Sequence, residues 1–270
     1  LHEMRLLKSR AEQSRMRYAA RVTAAAHRRL LGVIRPGMRE YEIEAELLYD
    51  FRRHNGHPAY PVIAGSGANA CVLHYIANQA ELCPGELILV DAGAEIDGYA
   101  ADITRTLPVS GRFSAEQRAV YEVVLDAQRA ALAQVRPGQH WNAGHEAATR
   151  VLTEGMVDLG LLSGSVDEAL ESGDYRRFFM HRTGHWLGMD VHDVGDYKVD
   201  GHWRELEPGM VLTVEPGLYI PPGSDVDARW QGIGVRIEDD CLITREGHEN
   251  LTEAAPKAID EIEAMMESAR

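Results

Sequence analysis

No stretch of this 270-residue sequence is apolar for the roughly 18 residues that a membrane-crossing helix needs. Its apolar runs, such as 87–90 and 211–214, are strand-sized, and a secretory h-region is lacking. Positive charge is short, lysine above all: 28 Lys and Arg face 42 Asp and Glu, a formal net charge of −14. That balance excludes the basic face a nucleic-acid partner would need. Cysteine is scarce. Cys71, Cys83 and Cys241 are odd in number and far apart, which makes neither a zinc pattern nor a disulfide framework. The expectation is three buried free thiols in the reducing cytoplasm. No low-complexity linker interrupts the chain, which predicts one compact domain over residues 1–270. A methionine at position 1 is also lacking, since the chain begins Leu1-His2-Glu3-Met4, so residue 1 is expected to lie inside a longer natural protein.

What the sequence does have is a repeat. Residues 9–31 carry no Gly or Pro and place apolar residues at helical intervals, which predicts a helix ending near Gly32. Arg35-Pro36-Gly37 marks a turn, and a second helix is predicted over 40–55, with Ile43, Leu47, Leu48 and Phe51 on one side. The order returns about a hundred residues on: a helix over 115–135, Arg136-Pro137-Gly138, then a helix over 142–159. A strand-rich segment follows each copy, which predicts two structural halves related by a pseudo-two-fold axis. In the first segment, strands 86–92 and 99–107 flank a tight turn at Asp97-Gly98; in the second, strands span 210–215 and 234–244. The tail, 256–270, reads as a final surface helix.

The strands carry candidate ligands. A two-residue turn at Asp97-Gly98 pairs Ile96 with Tyr99, hence Asp91 with Thr104 and Gly93 with Asp102. Asp91 and Asp102 then share one face as diagonal neighbours, about 7–8 Å apart at Cα. From there two carboxylates reach two metals about 3.5–4 Å apart; a turn of odd length would set them on opposite faces. Glu215 ends a strand before Pro216, and Arg236 and Glu238 share a strand face two residues apart. His181, His185 and His192 fall within twelve residues. The spacing of the first two is that of a His-Glu-x-x-His zinc helix, but Arg182 replaces the glutamate and Gly184 and Gly188 disfavour a helix. A strand or loop with His185 as a single imidazole ligand is expected instead. Ordinary roles remain open for each residue taken alone: a strand end for Asp91, solvation for Asp102, an ion pair for Glu238, a sheet edge for Glu215, a hydrogen bond for any histidine, His74 included. Gly65-Ser66-Gly67 lacks the lysine and the helix of a phosphate loop.

Together the segments resemble a known family. Leu73-His74-Tyr75, Val90-Asp91-Ala92-Gly93, Asp102 to Thr106, Gly184-His185-Trp186-Leu187-Gly188, Asp190 to Gly195, Thr213 to Tyr219 and Gly232 to Glu238 are similar to motifs of the bacterial Xaa-Pro aminopeptidases (aminopeptidase P), pita-bread metallopeptidases. The match runs in family order from about Leu1 to Thr252. It implies an α+β pita-bread fold, a curved antiparallel sheet flanked by helices in two pseudo-two-fold related halves. It implies metal-dependent release of the first residue from peptides with proline second.

Position by position, the resemblance makes Asp91 a terminal ligand of one divalent ion. Asp102 and Glu238 bridge two, and His185 and Glu215 complete the second. The ions would be Mn²⁺, with Co²⁺ or Zn²⁺ as substitutes. An oxygen-rich set with one imidazole suits a hard divalent ion. Two carboxylates 4 Å apart repel by about 4 kcal/mol at an effective dielectric of 20, so four in one pocket call for cations or protons. His74, His181 and His192 match substrate-facing positions, and Arg236 and Tyr219 match supporting ones. The implied chemistry is attack on the carbonyl before proline by a water that the cations acidify. Glu215 would accept its proton, while His192 and His181 stabilise the tetrahedral intermediate and assist the leaving nitrogen. The nearest rival is prolidase, with the same ligands but restricted to dipeptides; a non-catalytic pita-bread binding module would have lost ligands that stand here. The family's further N-terminal domain is the departure, and a homo-oligomer is expected of the full-length protein.

Overall fold

The structure is a computed structural model that describes residues 1–269; Arg270, the predicted end of the last helix, lies outside them. Three helices come first: α1 (His2–Leu6), α2 (Arg10–Val33) and α3 (Glu40–Arg53). Ser9 and Glu12 start α2 with a reciprocal capping box, Glu12 N donating to Ser9 Oγ at 3.4 Å and Ser9 N to Glu12 Oε2 at 2.7 Å. Ser114 and Gln117 build the same box at α4 (Ala115–Leu132), which precedes α5 (Ala143–Asp158). The predicted repeat of helix, Arg-Pro-Gly and helix is therefore present down to its caps. α2 runs on through Gly32 to Val33, its last turn closed by Ile34 N on Leu30 O at 2.9 Å. Two short helices escaped prediction, α1 and α6 (Val166–Ser172). The last, α7 (Ile259–Ser268), is more than a surface helix, since Ile259, Ile262 and Met266 bury one face, and it packs on α2.

The first half's strands are β1 (His57–Pro58), β2 (Ile63–Ser66), β3 (Leu87–Asp91), β4 (Ala94–Ile96), β5 (Tyr99–Ala100) and β6 (Thr104–Pro108). The second half has β7 (Lys198–Val199) paired with β8 (His202–Trp203), then β9 (Val211–Val214), β10 (Gly217–Ile220), β11 (Ile233–Arg236), β12 (Asp239–Ile243) and β13 (His248–Asn250). All pairings are antiparallel, in the orders β2-β3-β6, β1-β4-β5, β13-β12-β9 and β10-β11. α2 and α3 pack on the first half's strands and α4 on β9, β10 and β11.

The predicted hairpin register holds: Ile96 faces Tyr99 and Asp91 faces Thr104. Asp97 and Gly98, at φ 51° and 77°, make the two-residue turn that brings this about. The predicted strands 99–107 and 234–244 are each broken, however, and the cause lies outside them. Asp102 N donates to the Asp240 carboxylate at 3.0 Å instead of to its own partner strand, and Gly93 O accepts from Ala59 N at 2.9 Å. In the second half Glu215 N donates to Thr183 O at 2.9 Å and Glu238 N to Thr104 O at 3.1 Å. Ladders thus open where the candidate carboxylates stand.

The thiols differ from expectation. Cys241 is buried, but Cys71 is half-buried and Cys83 is exposed; all three are free. Cys241 lies within β12 in the core, whereas Cys71 ends the short 3-10 turn Gly67–Cys71 at the edge of a small cluster with Ile63 and Tyr219, and Cys83 falls on the loop before β3. No helix among the described residues is long and apolar enough to cross a membrane.

Candidate metal centre and active-site cavity

The two broken ladders deliver their acidic residues to one point. Ligand atoms of Asp102, His185 and Glu238 lie within 4.8 Å of one another. His185 Nε2 stands 3.4 Å from Asp102 Oδ2 and 3.5 Å from Glu215 Oε1. Asp91 stands beside this group: the Tyr60 hydroxyl lies 2.6 Å from its Oδ1 and also meets Asp102, its single proton serving one or the other, while Arg236 Nη2 donates to the other Asp91 oxygen. His185 comes from the loop before β7, tied edge-on to β9 by Thr213 N on His185 O at 3.0 Å and by the Trp186–Leu212 bridge. This is the extended segment expected in place of a zinc-type helix. Its Nδ1 donates to Trp186 O at 3.0 Å, which leaves Nε2 facing the carboxylates, the nitrogen that would lend its lone pair to a metal on losing its proton.

Burial and charge in so small a space shift Glu215, Glu238, Asp102 and His185. Burial pushes the Glu215 carboxyl up to about 7; His185 and Arg236 pull against that, and Asp102 and Asp91 add to it. Burial, then the charges of Asp102, Glu215 and Asp91, drive Glu238 well above the carboxylate range. Asp102 is raised by burial and by Asp91. Burial would lower His185, but the Asp102 hydrogen bond and the Glu215 charge outweigh it and carry the imidazole to about 9. Left to themselves these groups take up protons. Divalent cations neutralise them equally well, and an oxygen-rich set with one imidazole, correctly turned, fits such ions.

The cluster floors a cavity of about 690 Å³, with His74, His181, His192, Ile76 and Trp203 among its walls. The His192 ring lies 4.3 Å from that of His185. His181 is tied down at both nitrogens: Nδ1 donates to Arg182 O at 2.7 Å and Nε2 accepts from the Tyr219 hydroxyl at 2.9 Å. Arg236 Nη1 donates to that same hydroxyl at 3.0 Å, so one guanidinium spans Tyr219 and Asp91. Burial and the Arg236 charge lower His181 to about 4, which keeps it neutral.

A model of metallopeptidase family M24 matches residues 14–245. The chain belongs to this family. The Xaa-Pro aminopeptidase of Escherichia coli is 50% identical over the whole chain and 61% of its own length. The solved aminopeptidase PepP of Pseudomonas aeruginosa is 57% identical with a TM-score of 0.99, over the whole chain and 61% of that structure's chain. A variant of E. coli aminopeptidase P in complex with substrate gives 50% and 0.97 over the same shares. The Xaa-Pro dipeptidase of Homo sapiens is 37% identical over 98% of the chain and 60% of its own length. The fold of this family member is the α+β pita-bread fold, and the chain spans about three fifths of the length of these relatives.

Several residues at the centre carry little or no sequence signal. Tyr60 sits in an irregular stretch between β1 and β2, yet its hydroxyl joins Asp91 to Asp102. Thr104 Oγ1 donates to Glu238 Oε2 at 2.6 Å and accepts from Arg236 Nε at 3.1 Å. Its place opposite Asp91 in the register was the one available hint. Asp240 is buried behind Asp102 and raised well above the carboxylate range by burial and by the Asp102 charge. His27 of α2 reaches 65 residues along the chain to the Ala92 carbonyl, 3.0 Å away.

Proposed function

We propose that the protein containing this chain is a dinuclear-metal aminopeptidase that releases the first residue from peptides with proline second. The carrying observation is the meeting of Asp102, Glu238, Glu215 and His185, with Asp91 beside them, on the floor of one cavity. Asp91, Asp102, His185, Glu215 and Glu238 hold two divalent ions, Mn²⁺ ahead of Co²⁺ or Zn²⁺. When bound, the ions acidify water and polarise the scissile carbonyl.

The chain's own groups do the rest. Glu215 stands 3.5 Å from His185 Nε2 on the cavity floor, placed to accept the proton of a water attacking there. Arg236 and Tyr219 fix the orientation of Asp91 and His181. With both nitrogens engaged, His181 offers the substrate a ring face rather than a free N–H. Phe179 supports that ring edge-on, 5.1 Å away, as a wall suited to a proline ring. The expected part of His181 in stabilising the intermediate therefore passes to His192 and His74, which are both exposed in the cavity. Proline makes the scissile nitrogen tertiary, so delivering a proton to it falls to these donors. A peptide substrate in the cytoplasm, no nucleic-acid or membrane partner, one catalytic domain over the chain, and a homo-oligomeric full-length protein complete the reading.

The test is hydrolysis of an Xaa-Pro-Pro tripeptide by the metal-stripped chain before and after Mn²⁺ is added. Release of the first residue only with metal supports the reading. Cleavage of Xaa-Pro dipeptides alone replaces it with prolidase. Cleavage of neither, with ions bound, sinks it for this chain taken by itself.

A further inference from the structure

Helix α3 opens with Glu40, a carboxylate with 0% exposure that makes no ion pair among the described residues. Five donors satisfy it. Oε1 accepts from Ser66 N at 2.7 Å, Ser66 Oγ at 3.0 Å and Asn69 Nδ2 at 3.0 Å. Oε2 accepts from the Tyr75 hydroxyl at 2.8 Å and Ala80 N at 2.8 Å. The two oxygens thus grip opposite ends of one loop, 66–80. One helical turn on, Glu44 accepts from Asn78 Nδ2 at 2.8 Å, and Asn78 in turn ties Val62 O and Ala64 N of the neighbouring strand. Between the grips stand Leu73, His74 and Ile76, which line the catalytic cavity. His74 and Ile76 are exposed, while Leu73 and Tyr75, which alternate with them, pack against Ile63, Leu89 and Tyr219, so the span that meets substrate is seated on one side only and the Glu40 grip fixes its ends.

We propose that Glu40 is a positioning residue: its buried carboxylate fixes the loop that presents His74 and Ile76 to the substrate. The proposal rests on the functional reading above only for its catalytic readout. A carboxylate is needed because every contact is an acceptance. In Glu40→Gln one of the two oxygens becomes an NH₂ group, which faces donors whichever way the amide turns, and one end of the loop is released. A displacement of about 1 Å of a substrate-positioning group costs on the order of 100-fold in rate.

The test uses the full chain with Mn²⁺ and compares wild type, Glu40→Gln, His74→Ala and the double variant. Tyr75→Phe, which removes a single donor, serves as a milder second probe. Glu40→Gln is expected to lower kcat/KM on an Xaa-Pro-Pro peptide by about tenfold or more, and by less than about twofold once His74 is already alanine. Tyr75→Phe is expected to show a smaller loss in the same direction. Hydrogen exchange should quicken in 66–80 and stay unchanged in 87–91, with Mn²⁺ affinity retained. An equal loss in the His74→Ala background, exchange that rises throughout, or exchange that does not rise in 66–80 overturns the proposal. If the wild-type chain cleaves nothing, the functional reading fails by itself. The exchange pattern and the His74 imidazole NMR signals of Glu40→Gln then decide, because both report the loop without turnover.

Discussion

At the residue scale, the candidate carboxylates of the first half were legible because strand parity fixes their face, whereas His185 lies outside any strand and was marked by the family motif alone. Asp91 and Asp102 could be placed on one side of a hairpin from the turn alone, and the register agrees. Tyr60, Thr104, Asp240 and His27 were not legible, since each acts across more than 30 residues of chain, where spacing carries no information. Thr104 can be tested directly. Thr104→Val keeps the shape but removes the donor to Glu238, a proposed ligand, and the acceptor for Arg236; losing such a partner is expected to cost about 10–100-fold in metal affinity. Calorimetric titration with Mn²⁺ reads this, and unchanged affinity would rule Thr104 out as a support. His27 makes a prediction about acid. Burial lowers it from 6.5 to about 4, against a weaker opposing effect of its bond to Ala92 O. The unfolded chain therefore takes up this proton first, so His27's contribution to stability is present above 6.5 and lost as pH falls towards 4. Between pH 7 and 5 the loss is about 2 kcal/mol. Urea unfolding of wild type and His27→Leu at both pH values should show a steeper acid loss in the wild type by that amount.

At the element scale, the long helices were legible from composition and apolar spacing, while their capping boxes, the short helices α1 and α6 and the interruptions of the strands were not. A strand pattern records which face is buried. It does not record that Asp102 N will donate to Asp240, or Glu238 N to Thr104 O, because those partners arrive from the other half of the chain. The 181–188 segment poses the same difficulty, being held by edge contacts with β9 rather than by a pattern of its own. Gly184 is where that contact is tightest. A Cβ there would meet Thr213 O at 2.1 Å, and a backbone oxygen within a strand has little room to move. Gly184→Ala is expected to cost about 1–3 kcal/mol by overpacking and to lift His185 away from Asp102 and Glu215. Lower Tm together with weaker Mn²⁺ binding would bear this out. A variant with native Tm and native metal affinity would show that the segment can shift without disturbing the site.

At the scale of the whole molecule, the repeat of helix, Arg-Pro-Gly and helix announced two halves, and the centre forms between them. Asp91 and Asp102 come from one half, His185, Glu215 and Glu238 from the other, and Glu238 N on Thr104 O joins the two. On the proposed reading, metal occupancy and folding stability are linked, with a sign that follows from the carboxyls. In the metal-free chain Glu215 titrates near 7 against 4.5 for an ordinary glutamate, and Asp102 and Glu238 are raised as well. The folded chain holds protons that the unfolded chain has already released. Their contribution is full below 4.5 and is lost as pH rises through 7, so the metal-free form weakens towards alkaline pH. Cations require those same groups deprotonated, so their affinity grows over the same window. A ligand at a hundred times its Kd stabilises the fold by about 2.7 kcal/mol per site. The increase in Tm on adding Mn²⁺ to stripped protein should accordingly be small at pH 5 and grow steadily to pH 8. An increase that stayed flat or shrank with pH would mean that the cations bind elsewhere than on these carboxylates.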